Sequence, residues 1–103
     1  MTKEKLFNKL KNRGIFWSYS KELTYYAIES IGLFGSYARG EATHESDIDI
    51  FVQMKPDLFK LVELKEKIEE DLQKKVDIIR NHKYMKPFLL KMIQKEIAYA
   101  WYL

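Results

Sequence analysis

Two aspartates, Asp47 and Asp49, lie at the start of an otherwise apolar run, residues 48–54, that has the composition of a β-strand. Their spacing of two residues points both carboxylates to one face of that strand. Half-buried carboxylates are costly without a partner, and two of them repel each other. A third acid, Asp77, interrupts the apolar residues 76–79, a predicted neighbouring strand. Three carboxylates at one edge of a sheet predict a site for Mg²⁺ or Mn²⁺.

A Gly-Ser pair, Gly35-Ser36, follows the apolar residues 31–34 and can bind phosphate. Glycine lets the backbone approach a phosphate closely, and the serine hydroxyl and nearby N–H groups can donate to its oxygens. Arg39 in the same turn can add a charge-assisted bond. The segment is not a Walker A loop, because G-x-x-x-x-G-K-[ST] is absent. With a nucleoside triphosphate, the acids could hold two metal ions about 3.5–4 Å apart, one activating a hydroxyl and one neutralising the leaving pyrophosphate.

The elements that must position these residues alternate between helix and strand. Apolar periodicity predicts strands at residues 31–34, 48–54 and 76–79. It predicts helices at residues 2–11 and 20–30, a short helical turn at 36–40, a helix from Pro56 to Leu72 and a last helix from Pro87 to Ala100. The inward face of the helix that begins at Pro56 is predicted to carry Leu58, Leu61, Val62, Ile68 and Leu72. This order predicts an α/β (α+β) fold, with a small mixed sheet flanked by helices.

The composition sets limits on the class of protein. The 103 residues are expected to form a single domain, 1–103, and 47% hydrophobic with 32% charged residues is typical of a folded chain. Without cysteine, disulfides, thiolate metal sites and cysteine nucleophiles are excluded. No signal-peptide core or membrane-length apolar run is visible, so the expectation is a cytoplasmic protein. The net charge of +3 suits a nucleotide but is too small to indicate a nucleic-acid partner.

Residues 35–49 resemble the signature of the DNA polymerase β nucleotidyltransferase superfamily. More narrowly, G-S-Y-A-R-G-E-A followed by S-D-I-D-I is similar to the minimal nucleotidyltransferases (MNT) of prokaryotes. The resemblance is strong over residues 33–52 and extends to Val76-Asp77-Ile78. It implies a polymerase β-like nucleotidyltransferase fold.

The resemblance also implies roles for individual residues. Asp47 and Asp49 would bind two Mg²⁺ ions, and Asp77 would bind the catalytic ion and help to deprotonate the acceptor hydroxyl. The nucleotide-binding residues would be Gly35, Ser36, Arg39 and Ser46. Members of this group act as antitoxins beside a HEPN-domain ribonuclease and are similar to enzymes that transfer AMP from ATP to a tyrosine of that toxin.

Two other functions stay open at this point. The chain could neutralise a partner by binding alone, with a vestigial nucleotide site, or it could transfer nucleotides to RNA or a small molecule. At 103 residues the chain is expected to lack a separate acceptor-binding domain, so the acceptor is expected on a partner protein, or the chain forms a homo- or hetero-oligomer. Interface candidates are the aromatic residues Trp17, Tyr19, Tyr25 and Tyr26.

Overall fold

The computed structural model describes residues 4–6 and 28–102 of the chain. Residues 4–6 are helical. The elements that follow are β1 (Ile28–Phe34), α1 (Gly35–Arg39), β2 (Ile48–Met54), α2 (Leu58–Leu72), β3 (Val76–Arg80), α3 (Pro87–Glu96) and β4 (Ala98–Tyr102).

The four strands form one mixed sheet in the order β3-β2-β1-β4. β1 pairs antiparallel with β2 and with β4, whereas β2 and β3 are parallel and joined by α2. The amino-terminal ends of β2 and β3 therefore lie side by side, next to the carboxyl-terminal end of β1. This mixed sheet with helices confirms the predicted fold class.

One face of the sheet packs on α2. Alternate residues of β2, starting at Ile48 and ending at Met54, are buried at 3% exposure or less and belong to a core cluster with the inward residues of α2. The intervening residues belong to the other face, where Asp49 and Gln53 are half-buried and Phe51 is buried outside that cluster. This alternation follows from the period of two in a strand, and it keeps Asp49 out of the apolar core.

The helix predicted from Pro56 begins two residues later, at Leu58. Asp57 is the residue that starts it, because its carboxylate accepts a hydrogen bond of 3.1 Å from the Lys60 N–H. The predicted inward face is correct at Leu61, Ile68 and Leu72. It is wrong at Leu58 and Val62, which are exposed, while Leu64 is fully buried. The error is one of phase: the prediction centred the apolar stripe on the first residues of the helix, whereas the buried stripe includes Leu64.

Two sequence-based assignments are wrong, one at the start of β1 and one at β4, which pairs with β1. Residues 28–30, predicted as the end of a helix, form the start of β1. Residues 98–100, predicted to end the last helix, belong to β4, which continues to Tyr102. The helix ends at Glu96 because residues 98–102 pair with the open edge of β1, a long-range contact that local periodicity does not report.

Other predictions fall mainly outside the described residues. The helix at 2–11 is described only at residues 4–6, where it is helical and Leu6 is fully buried. Residues 20–27 and the aromatic interface candidates Trp17, Tyr19, Tyr25 and Tyr26 are outside the described ranges. The single domain over residues 1–103 stays a prediction. Within residues 4–6 and 28–102, no helix combines the length and the apolar character that a bilayer crossing requires.

Candidate active site

The parallel pairing of β2 and β3 brings two of the predicted acids together. Asp49 and Asp77 are register partners, each the second residue of its strand. Neighbouring strands are about 4.8 Å apart, so the two carboxylates are within reach of one ion. Asp47 directly precedes β2 at the same edge. The prediction that Asp77 lies on a strand next to that of Asp49 is confirmed.

The Gly-Ser turn packs directly on Asp49. Gly35 follows Phe34, the β1 partner of Asp49, and has a φ of +72°, a value that side-chain-bearing residues rarely adopt. A Cβ atom added to Gly35 would overlap the Asp49 carboxylate. Glycine is therefore required here for its conformation and for the close approach. The predicted helical turn is confirmed as α1, which Gly40 ends with a φ of +75°.

All seven residues predicted for the site border one cleft of about 390 Å³. α3 supplies a further wall through Leu89, Met92, Ile93 and Glu96. The complete lining is Phe34, Gly35, Ser36, Arg39, Ser46, Asp47, Asp49, Asp77, Leu89, Met92, Ile93 and Glu96. The structure thus brings the predicted residues together, although their roles in binding and catalysis stay predictions.

The electrostatics of the cleft centre on Asp49. Its partial burial raises the pKa of the Asp49 carboxyl above the ordinary value, and the negative charges of Asp77 and Asp47 raise it further. The positive charge of Arg39 opposes this rise without cancelling it. Of the described residues that line the cleft, Arg39 is the single cation beside four acids. The cleft therefore holds an excess of negative charge that a bound cation would relieve.

The donor set fits a divalent cation in its chemistry. Carboxylate oxygens are the ligands that Mg²⁺ prefers, and the repulsion felt by Asp49 is the interaction that such an ion would remove. Within residues 4–6 and 28–102, no three acidic or histidine side chains are already gathered closely enough to hold a metal. A Mg²⁺ ion at this site would be held by one or two of the Asp47, Asp49 and Asp77 carboxylates, with water or substrate phosphates as its other ligands.

Arg39 has two carboxylate partners. Its Nη1 donates to Glu96 Oε2 at 2.9 Å and its Nε donates to Glu41 Oε2 at 3.2 Å. Glu96 Oε1 also accepts the Gly35 N–H at 2.8 Å. Partial burial tends to raise the pKa of Glu96, but the hydrogen bonds from Arg39 and Gly35 outweigh it and leave this pKa below the ordinary value. A phosphate that binds Arg39 would have to share or replace one of these carboxylates.

Ser46 stabilises the loop that precedes β2 through two hydrogen bonds to Thr43. Its hydroxyl oxygen accepts the Thr43 N–H at 2.9 Å, and its own N–H donates to the Thr43 carbonyl at 3.2 Å. Lys74 holds the same loop by donating to the His44 carbonyl at 3.1 Å. These bonds fix the approach of the chain to Asp47. Ser46 borders the cleft as expected, and any bond to a nucleotide would add to this role.

Comparison with known proteins shows the family to which the chain belongs. The sequence profile described as "Nucleotidyltransferase domain" matches residues 15–100 of the chain. The chain belongs to the nucleotidyltransferase domain family. This membership confirms the predicted enzyme class, nucleotidyltransferase.

Nucleotidyltransferase relatives occur in archaea. The protein adenylyltransferase MntA of Thermococcus cleftensis is 38% identical over 89 residues, which cover 84% of this chain and 89% of the relative. The protein MJ1379 of Methanocaldococcus jannaschii is 44% identical over 79 residues, which cover 73% of this chain and 79% of the relative.

Solved structures share the fold. A minimal nucleotidyltransferase matches with a TM-score of 0.71 at 25% identity over 95% of both chains. A chain of a toxin–antitoxin complex with AMP-PNP matches with a TM-score of 0.67 at 24% identity, over 100% of this chain and 75% of that one. A chain of the complex between the tri-AMPylated HEPN toxin of Shewanella oneidensis and the MNT antitoxin matches with a TM-score of 0.64 at 22% identity. The match covers 99% of this chain and 74% of that one. The resemblance to minimal nucleotidyltransferases is confirmed.

Sequence reasoning did not assign Glu96 or the α3 wall to the site. A signal was present, since Glu96 lies seven residues after Leu89, within the apolar stripe of α3. An acid on the inward stripe of a helix requires a partner. Its partners, Gly35 and Arg39, are 61 and 57 residues away in the sequence, so only the folded chain identifies them.

Proposed function

We propose that this nucleotidyltransferase is a Mg²⁺-dependent protein adenylyltransferase that transfers AMP from ATP to a tyrosine hydroxyl of a HEPN-domain toxin, and so acts as an antitoxin. The observation that carries the proposal is the register pairing of Asp49 with Asp77, with Gly35 packed on the Asp49 carboxylate. The acids and the turn expected to meet the phosphates then border a single cleft.

In this reaction the acceptor oxygen forms a bond to the α-phosphorus, and the bond from that phosphorus to the bridging oxygen breaks, releasing pyrophosphate. Gly35 and Ser36 hold the triphosphate, and Asp47 and Asp49 carry the metal ions. Asp77 helps to take the proton of the acceptor hydroxyl. Mg²⁺ held by Asp47, Asp49 and Asp77 would neutralise charge on the phosphates and lower the pKa of the attacking hydroxyl.

The identity of the acceptor is supported by the relatives and by the cleft. The Thermococcus relative is named a protein adenylyltransferase, and an AMPylated toxin is bound in the Shewanella complex. Among the described residues that line the cleft, four are acids and one is an arginine, so this lining carries little positive charge for an RNA backbone. A protein acceptor needs no such charge, which favours it over RNA.

The proposal is tested with labelled ATP, Mg²⁺ and the product of the gene adjacent to this one, which the proposal expects to be a HEPN-domain protein. Wild type should label the toxin, and Asp49→Asn and Asp77→Asn should each reduce the rate by about 100-fold or more, since ion-mediated charge stabilisation is worth several kcal/mol. Asp71→Asn is the matched control because Asp71 lies on α2, outside the cleft. Equal labelling by wild type and Asp49→Asn would contradict the proposal, as would no labelling at all.

Inhibition by binding alone is a second candidate function. Large apolar side chains are exposed on α3 beside the cleft, with Phe88 at 76% and Met92 at 49% exposure, and such surfaces suit a protein partner. A folded Asp49→Asn variant distinguishes the two functions in cells that express the toxin. Protection that persists in this variant supports inhibition by binding, whereas lost protection with retained toxin binding supports adenylylation.

A further inference from the structure

A single carboxylate, that of Glu96, joins both ends of α1. Its Oε1 accepts the N–H of Gly35, the first residue of the helix, at 2.8 Å, and its Oε2 accepts from Nη1 of Arg39, the last residue, at 2.9 Å. The five residues of α1 rise by about 7.5 Å. The long Arg39 side chain therefore extends back along the helix, so that one carboxylate bonds to both the first and the last residue of α1.

α1 is a helix that requires external support. A helix of five residues is far below the length at which helices are stable alone. The residue before it, Phe34, is extended and provides no side-chain cap. A negative charge at the first N–H and a positive side chain in the last turn both favour the helix. Glu96 supplies that negative charge and also neutralises Arg39.

Glu96 is itself held by the backbone on both sides. It is the last residue of α3, and the next residue, Ile97, still donates its N–H to the Ile93 carbonyl at 2.9 Å. β4 starts immediately afterwards and pairs with β1, where Ala98 is the partner of Leu33. The carboxylate thus extends from the junction between α3 and β4 to the turn that follows β1.

We propose that Glu96 is a positioning residue for the nucleotide site, which holds the Gly35 turn against Asp49 and orients Arg39 toward the cleft. The inference rests on the proposed use of Gly35 and Ser36 in binding ATP. It follows that losing Glu96 frees the start of α1 and weakens nucleotide binding, although Glu96 need not touch the nucleotide.

Glu96→Ala and Glu96→Gln separate the two bonds. Alanine removes both of them. The glutamine amide oxygen still accepts the Gly35 N–H, but the neutral amide cannot neutralise Arg39. The control is Glu66→Ala, because Glu66 is exposed on α2. Three measurements are made on each variant. The first is the dissociation constant for ATP without acceptor, and the second is the KM for ATP and the kcat with acceptor. The third is the rate of amide hydrogen exchange at Gly35 without nucleotide.

The expected result is an ATP dissociation constant and KM about tenfold higher in Glu96→Ala, since a hydrogen bond to a charged group is typically worth a factor of this size. The kcat should change less than KM, and the Gly35 amide should exchange faster in Glu96→Ala than in Glu96→Gln or Glu66→Ala. Retained binding with no loss of Gly35 protection would overturn the inference. Tighter ATP binding in Glu96→Ala would also overturn it, because Glu96 would then compete with phosphate for Arg39.

These readouts separate the inference from the proposed function. A wild type that binds ATP but labels no protein contradicts the adenylyltransferase proposal, and its ATP affinity and Gly35 exchange still decide the role of Glu96. If Glu96→Ala fails to fold, Glu96→Gln tests the inference, because it loses only the charged bond to Arg39. An unchanged ATP dissociation constant and KM in Glu96→Gln would show that Glu96 does not orient Arg39 for nucleotide binding.

Discussion

Asp49 and Asp77 are register partners on the parallel strands β2 and β3. The Asp49 side chain is half-buried and the Asp77 side chain is exposed, so the pair lies where the sheet edge meets solvent. Asp49 feels the charge of Asp77 and of Asp47, with Arg39 as the opposing cation. The arrangement is electrostatically unfavourable without an ion, and this property leads to tests that require no acceptor.

Mg²⁺ or Mn²⁺ should stabilise wild type against unfolding. A ligand that binds only the folded state adds about 2.7 kcal/mol at a concentration of 100 times its dissociation constant. The gain should be absent in Asp49→Asn and present in Asp71→Asn. Thermal unfolding with and without the ion measures it, and an equal shift in Asp49→Asn would count against a metal site at these carboxylates.

The acidity of Asp49 should appear in the pH dependence of stability. The folded pKa of Asp49 is raised above its ordinary value near 3.8, so the folded state binds the proton more tightly than the unfolded state. Its contribution to stability is then fully present below that ordinary value and is lost as the pH rises through the raised pKa. Without metal, Asp49→Asn should be more stable than wild type at neutral pH. Urea unfolding at pH 3 to 8 tests this, and a less stable Asn variant at neutral pH would refute it.

Two glycines with the same backbone conformation provide a matched pair of substitutions. Gly35 and Gly40 have φ values of +72° and +75°, and an alanine at either position should cost about 1–2 kcal/mol for the left-handed conformation. Only at Gly35 does the added Cβ overlap another group, the Asp49 carboxylate, whereas nothing lies within 4 Å at Gly40. Gly35→Ala should therefore abolish AMP transfer and Gly40→Ala should retain it. Similar activities of the two folded variants would show that the close approach to Asp49 is not needed.

Two leucines of α2 test the phase of the helix. Leu64 is fully buried and Leu58 is 72% exposed. Leu64→Ala should lower the free energy of unfolding by about 2–5 kcal/mol, because it removes buried surface and leaves a cavity. Leu58→Ala should change it by about 0.5 kcal/mol or less. Chemical denaturation measures both values, and a larger loss at Leu58 would reverse the assignment of the buried face.

The amino-acid sequence by itself determined the local features of the protein. The period of two in residues 48–54, the acids Asp49 and Asp77 in apolar runs and the Gly-Ser turn before them all depend on neighbouring residues. These features are enough to predict β2, most of β3, the turn of α1 and the resemblance to minimal nucleotidyltransferases. They work because strand alternation and glycine conformation are properties of a few consecutive residues.

Only the tertiary structure decided which distant groups meet. β4 exists because residues 98–102 pair with the edge of β1, although the helical pattern that begins at Pro87 continues to Ala100. Glu96 accepts a hydrogen bond from Gly35, which lies 61 residues earlier in the sequence, and the last residues of α3 line the cleft. Such contacts form when separate elements pack, so their energy belongs to the assembled sheet and helices and to no local segment of the chain.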